Sequence, residues 1–465
     1  MNSTGHRNSI AAFAEILLAV CGCAHAFAAE CSNAAIDPQK LKERLQELNN
    51  AAQAEMQRQR FHDAVTYFQE IACLAPKNAQ AFYNLGAAQA ASGDLAAARR
   101  SFTTSAGLDP VNPLPMVMLV RVNVSLAGMD SLKSVLRVIA LRFPDDGELH
   151  GLLARFLTEK NQLDLALAES LRSVRARGAD GGSKVALAIL ENAVGAYQEA
   201  IANALAVTRQ ANLPNPTRAA AAGVAGLSYE GLGKRDEAVV QMRESIRLDP
   251  ARENSYLALA FLLEKAQKYA DAVTVLEQGR RNVPDSRAFL LPLGSDLVRA
   301  EKYDAAIDIL REVVRQSPDE ADAYLRMADA FRKTGSPDRE VEVLRELSKR
   351  KPKYPMVHVL IVRAMLNCAQ PDYAKALEEL DSAEEASPSD ADVFYLRGKV
   401  YIETFHNEDA VAALLRAIEL RPMDSGPYYQ LGRLYQKLGK TELAKEQFDR
   451  MKFLLEGVAA IAKEK

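Results

Sequence analysis

The side chains with chemical potential in this sequence are few and scattered. His62, His150, His358 and His406 lie far apart. No HExxH sets two histidines on one helical face, so the zinc-hydrolase spacing is absent. No CxxC offers a second route to a metal site. His150 and His358 fall where large packing residues belong, so packing is the expected role of both. The stretch Gly226-Leu227-Ser228-Tyr229-Glu230-Gly231-Leu232-Gly233-Lys234-Arg235 looks like a phosphate loop at first sight. That motif needs Lys directly after the second Gly, then Ser or Thr, to reach phosphate and Mg²⁺. Here Leu232 follows Gly231 and Arg235 follows Lys234. No strand precedes the stretch, so nucleotide binding is not expected. No catalytic, cofactor or metal constellation survives, and the expectation is a non-enzyme.

The bulk numbers agree. Of the 465 residues 48% are apolar and 26% charged, and the net charge is −3. Such a balance gives no electrostatic reason to expect nucleic acid or an anionic membrane as partner. Alanine is abundant, tryptophan absent and β-branched runs short, which favours helix over strand.

Prolines then divide the chain. Ten of the 19 stand at 76, 110, 144, 214, 250, 284, 318, 352, 388 and 422, in steps of 34, 34, 70, 36, 34, 34, 34, 36 and 34. The long step is two units with two extra residues, and Gly178 stands where its missing mark belongs. Within Ala79–Pro110, Phe82, Leu85, Gly86 and Gln89 fall along one helical stretch. Gly93-Asp94 signals a turn, and Ala98 and Phe102 open a second helix. Each helix gains one apolar stripe. Neither can bury it alone; pairing covers part and stacking the next unit covers the rest. Proline ends each unit because it has no N–H to continue a helix.

This unit resembles the tetratricopeptide repeat, with a large residue at position 4, Leu at 7, Gly at 8, Ala at 20, an aromatic or Leu at 24 and Pro at 32. Phe82, Leu85, Gly86, Ala98, Phe102 and Pro110 match in one unit; Tyr428, Leu431, Gly432, Tyr435, Ala444 and Phe448 match in the last. Unit starts fall near 45, 79, 113, 147, 181, 219, 253, 287, 321, 357, 391 and 425. The resemblance implies an all-α fold, a right-handed superhelical α–α solenoid of about twelve helix pairs spanning 45–456. Residues 113–182 depart most: Val120 and Leu132 replace small residues, and Gly178–Gly182 replaces a proline, read as a longer surface turn or, in the alternative, a bend or hinge. The span leaves no stretch of this sequence long enough for an enzyme domain. Asp37–Gln59 reads as a polar capping helix, and Lys452–Lys465 as a charged extension of the last one.

In the family, positions 2, 5, 6, 9, 12 and 13 of the first helices line a concave groove that takes protein or peptide partners. By register, Leu114, Val117 and Met118 would face it, with Arg121 and Arg155 stacked at position 9 of adjacent units. Two guanidiniums there would suit a partner carboxylate. Toward the C-terminus the wall would carry Arg326, Tyr395, Lys399, Tyr429 and Arg433. The family's clamp for C-terminal carboxylates is not made: Asn84 fits, but Leu114 and Met118 stand where Lys or Arg is needed. The resulting expectation is a protein-interaction scaffold. The alternative is an accessory subunit of an envelope secretion, pilus or polysaccharide-export machine, although a sugar-binding row of aromatics is not evident.

The N-terminus reads as an export signal over 1–28, with Arg7, the apolar Ile16–Val20 and an Ala26-Phe27-Ala28 cleavage site. Residues 29–44 would then form an N-terminal extension and 457–465 a charged tail. A periplasmic or secreted location follows. In the alternative, Val20-Cys21-Gly22-Cys23 resembles a degraded lipobox, which would acylate Cys23 and give an outer-membrane lipoprotein. Glu15 and His25 interrupt the run, so no membrane span is expected. In an oxidising compartment Cys31 and Cys73 would be able to pair.

Overall fold

The computed structural model describes residues 37–463, apart from 127, 177–179 and 355, and leaves the side chains of 128–131 and 457–463 out of the description. The expected leader, the Cys23 anchor, the Cys31 end of the Cys31–Cys73 pair and the Gly178 mark lie outside the described residues. Every regular element described is a helix. The helices come in twelve pairs and fall into two compact units that divide at Gln241/Met242.

In the first unit α1 (Pro38–Gln57) pairs with α2 (Phe61–Leu74), and α3 (Ala79–Ser92) with α4 (Leu95–Leu108). Next come α5 (Leu114–Leu126) with α6 (Gly128–Arg142), and α7 (Gly147–Glu159) with α8 (Leu163–Arg175). Then follow α9 (Gly181–Ala193), α10 (Tyr197–Thr208), α11 (Asn215–Gly231) and α12 (Arg235–Leu248), within which the units divide. The second unit continues with α13 (Glu253–Lys265), α14 (Tyr269–Asn282), α15 (Leu290–Arg299) and α16 (Tyr303–Gln316). After these stand α17 (Ala321–Lys333), α18 (Pro337–Arg350), α19 (Val357–Met365) and α20 (Tyr373–Ala386). The last four are α21 (Ala391–Glu403), α22 (Asn407–Leu420), α23 (Ser425–Lys437) and α24 (Thr441–Lys463). The expected register holds. At the start α1 begins at Pro38, within the stretch Asp37–Gln59 read as a capping helix, and is opened by the Asp37 cap on the amides of Gln39 and Lys40.

Local chemistry sets these boundaries. Asn78, Asp146, Asp180, Asp390 and Asp424 each cap a first helix through a side-chain oxygen. Such caps satisfy amide donors that have no partner inside the helix. Ten of the first helices then reverse through a left-handed residue. Gln59 and Gly93 are 34 apart, as are Asn161 and Gly195, the run Gly233, Gln267, Glu301 and Gly335, and the pair Phe405 and Gly439. At Asn161 the reversal is held by Asn161 N–H to Thr158 O (2.9 Å) and Gln162 N–H to Leu157 O (2.8 Å), the C-terminal capping pattern of such turns.

The apolar stripes meet as expected. In the first unit Leu48, Ala52, Phe68, Phe82 and Leu85 form one buried cluster, and Phe102, Leu119, Val120, Leu136, Ile139, Leu153 and Leu157 another. Gly86 exists to admit Phe102: a Cβ there would lie 2.8 Å from the ring. The same fit recurs at Gly432 with Phe448. Polar ties repeat with the period too. Ser105 Oγ donates to Ala79 O (2.8 Å) and Ser173 Oγ to Gly147 O (2.7 Å), each fastening a second helix to the start of its own first helix. Tyr256, Tyr324 and Tyr428 donate to the carbonyls of Pro250, Pro318 and Pro422. His150 takes the tyrosine's place in its unit, with Nε2 3.0 Å from Phe143 O and Nδ1 2.6 Å from Glu169.

Candidate partner-binding face

The first helices of the first unit present a row of partly exposed aliphatic side chains. Leu114 on α5 is 52% exposed, Leu152 on α7 47%, Ile189 on α9 49% and Leu227 on α11 49%. Of the expected groove residues, Leu114 is thus on the surface, while Val117 and Met118 are half-buried against the core cluster. The apolar run around them mostly fills the interior. Leu152, Ile189 and Leu227 were missed by motif reading, although the register that selected Leu114 also selects them, at positions 6, 9 and 9.

Arg121 and Arg155 are both exposed. The Arg121 guanidinium lies over the Phe156 ring, 5.6 Å from its centroid. Arg155 lines a cleft of about 660 Å³ between α7 and α9.

In the second unit the expected residues combine in pairs. Lys399 lies over Tyr395 (6.0 Å to the centroid) and Arg433 over Tyr429 (5.7 Å). The two pairs occupy the same two positions of successive first helices, α21 and α23. Tyr395 is half-buried, and that burial holds its hydroxyl above the usual tyrosine range. Tyr429 remains exposed. Arg326 is half-buried on α17. Asp392, beside these residues, is bound by Arg363 (2.6 Å) and Arg421 (2.9 Å), which commits it to the framework.

Among the described residues no group of three or more His, Cys, Asp or Glu could hold a metal. None of the described helices is long and apolar enough to cross a membrane. His358 contacts Glu379 (2.7 Å) and Arg345 lies 3.7 Å from that carboxylate, an ion-pair arrangement. Cys368 lines a cleft of about 880 Å³ in the second unit. Burial, then Asp338, push its thiol up, which keeps it protonated and a poor nucleophile. Gly233 stands in the left-handed turn after α11 (φ 72°), so a reversal explains one glycine of the phosphate-loop lookalike. Asp296 on α15 is fully buried, and neither carboxylate oxygen has a hydrogen-bond partner. Burial, then Glu264, push it up to about 7 against the pull of Arg299.

Two sequence profiles described as tetratricopeptide repeat match this chain, one at residues 49–113, 291–355 and 364–427, the other at 219–252 and 426–450. Together they cover more than half of it. The chain belongs to the tetratricopeptide repeat family. Membership makes it a protein-interaction scaffold, of a kind that typically has no catalytic centre. No curated protein matches it. Among solved structures, MamA 41-end from Desulfovibrio magneticus RS-1 is 23% identical over 37% of this chain and 97% of its own, with a TM-score of 0.34. Yeast Tom70 is 15% identical over 89% of this chain and 92% of its own, with a TM-score of 0.33. YrrB, titled a TPR protein with an unusual peptide-binding site, is 18% identical over 40% and 95%, with a TM-score of 0.35. Scores so low carry no argument, and membership rests on the repeat matches.

Proposed function

We propose that this tetratricopeptide protein is a non-catalytic scaffold that holds a peptide or protein on the first-helix face of its repeats. The row Leu114, Leu152, Ile189 and Leu227 carries this reading. Four large aliphatic side chains on four successive first helices are left half in water. Exposed apolar rows of this kind mark interaction sites. The test is site-specific photo-crosslinking in cells. A crosslinker at 152 or 189 should capture a discrete partner, and one at Leu141, exposed on α6, should not. An Arg121→Glu/Arg155→Glu variant should change the capture. Equal capture from all positions would overturn the assignment, and turnover of a substrate that follows the purified chain would overturn the scaffold.

The location proposed is outside the cytoplasm. In support, Cys73 is disulfide-bonded while Cys368 is a free thiol, and stable disulfides belong to oxidising compartments. N-terminal sequencing of the mature chain should begin at Ala29. Palmitate labelling that a Cys23→Ser change abolishes would instead establish the lipoprotein route.

A further inference from the structure

We propose that the cleft between α7 and α9 docks a basic, aliphatic segment of a partner protein. This rests on the scaffold reading and specifies the partner's chemistry. The cleft has an apolar lining, with Leu152 and Ala154 on one wall and Ala186, Ile189 and Leu190 on the other. Ser170 and Ser173 of α8 also line it. Gly147, Gly151 and Gly182 line it as well. Two large aliphatic residues, Leu152 and Ile189, thus flank a groove that their own helices do not close.

Charge decides the sign of the occupant. Glu148, Glu159 and Asp180 line the cleft against a single guanidinium, Arg155. Glu148 and Glu159 are exposed and make no ion pair among the described residues. Asp180 accepts from the Ser183 amide at 2.7 Å, and that bond, first among its causes, holds its carboxyl below the usual range. It stays ionised. Arg155 follows Glu148 by seven residues and precedes Glu159 by four, spacings that put all three on one face of α7. The cleft therefore carries negative charge beside apolar walls. A partner carboxylate would meet three like charges. A sugar would want an aromatic platform, and no ring lines the cleft. Lysine or arginine side chains between leucine-like residues satisfy both features. The aliphatic groups enter between Leu152 and Ile189 while the cations reach Glu148 and Glu159.

Three fluorescein-labelled synthetic peptides of equal length test this by anisotropy: a Lys/Leu alternation, a Glu/Leu alternation and a Lys/Ser alternation. The Lys/Leu peptide should bind about tenfold or more tighter than either other, and its advantage over Glu/Leu should shrink as salt rises. In Glu148→Lys/Glu159→Lys the preference should invert toward Glu/Leu. In Leu152→Ser/Ile189→Ser both leucine peptides should lose about tenfold in affinity, whereas Leu141→Ser should change nothing. All altered side chains are exposed, and circular dichroism checks that each variant is folded. Lys/Leu binding that ignores the charge reversal would be general attraction to an acidic protein and would overturn the proposal. Equal binding of Lys/Leu and Glu/Leu would overturn it as well. If crosslinks at 152 and 189 still capture a partner in either case, the scaffold stands and only its assigned chemistry fails. If peptide binding behaves as expected but those crosslinks capture nothing, the scaffold reading fails instead.

Discussion

Phe405 turns the chain between α21 and α22 at φ 61° with its side chain 84% exposed. Gly93, Gly195, Gly233, Gly335 and Gly439 make the same kind of turn without a Cβ penalty. Phe405→Gly should stabilise the protein by about 0.5–1 kcal/mol in urea unfolding, because glycine enters the left-handed region at no steric cost. A loss of stability would mean that the phenyl ring makes contacts worth more than the strain. Asp296 makes a second prediction at this scale. Its proton is released near pH 4 in the unfolded chain, where a carboxyl is unperturbed, but only near about 7 in the fold. Between these values the folded state binds the extra proton, so stability must fall as pH rises through this window. Above about 7 the penalty is complete: a buried carboxylate beside Glu264, offset only by Arg299 at 3.7 Å. Asp296→Asn should remove that slope and, at pH 8, leave the variant more stable than the parent by about 2–4 kcal/mol. Parallel stability–pH curves for the two proteins would refute this.

Gly86 and Phe102 act together as one joint between α3 and α4. The ring is fully buried, and a Cβ at 86 would come within 2.8 Å of it. Gly86→Ala should therefore cost about 1–3 kcal/mol through overpacking. Adding Phe102→Leu should cost less than the sum of the two single changes, since residues in contact couple; strict additivity in a double-mutant cycle would show that the backbone simply moves apart. Tyr324→Phe removes the bond to Pro318 O (3.0 Å) and should cost about 1 kcal/mol. Such joints explain what was legible in the sequence. The period of 34 is written in prolines, small residues and turn residues because each meets a steric need that recurs once per pair. His150 could be assigned to packing by position alone, but its bonds to Glu169 and Phe143 are set by its neighbours in space. The same holds for the candidate site. Register located Leu114, Arg121 and Arg155, yet which of them faces water, which covers a ring and which lines a cleft depends on side-chain packing that no spacing encodes. Asp296 gave no signal at all, because a single aspartate on a helix is ordinary until its burial is known.

At the scale of the molecule, energy is local. Within each unit a helix makes its main contacts with the next helix or the next but one, so stability is close to a sum of repeat and neighbour terms. A core change should then unfold a neighbourhood before it unfolds the chain. Leu153 on α7 is fully buried within a cluster that draws on helices α4 to α9. Leu153→Ala should cost about 2–5 kcal/mol there. Hydrogen exchange should lose protection across α5 to α10, while amides of α21 to α23, which rest on the Leu414, Leu431 and Tyr435 cluster, should keep theirs. Denaturant unfolding should broaden or split as one stretch melts ahead of the other, the departure from two-state behaviour expected of long repeat arrays. Uniform loss of protection along the whole chain, with a single sharp transition, would mean that long-range cooperativity outweighs neighbour coupling. The outcome bears on function. The α7/α9 cleft lies in the same neighbourhood as Leu153, so Leu153→Ala should weaken partner capture from position 152 while the α21 to α23 amides stay protected. Capture that persists after local melting would place the binding determinants outside the cleft.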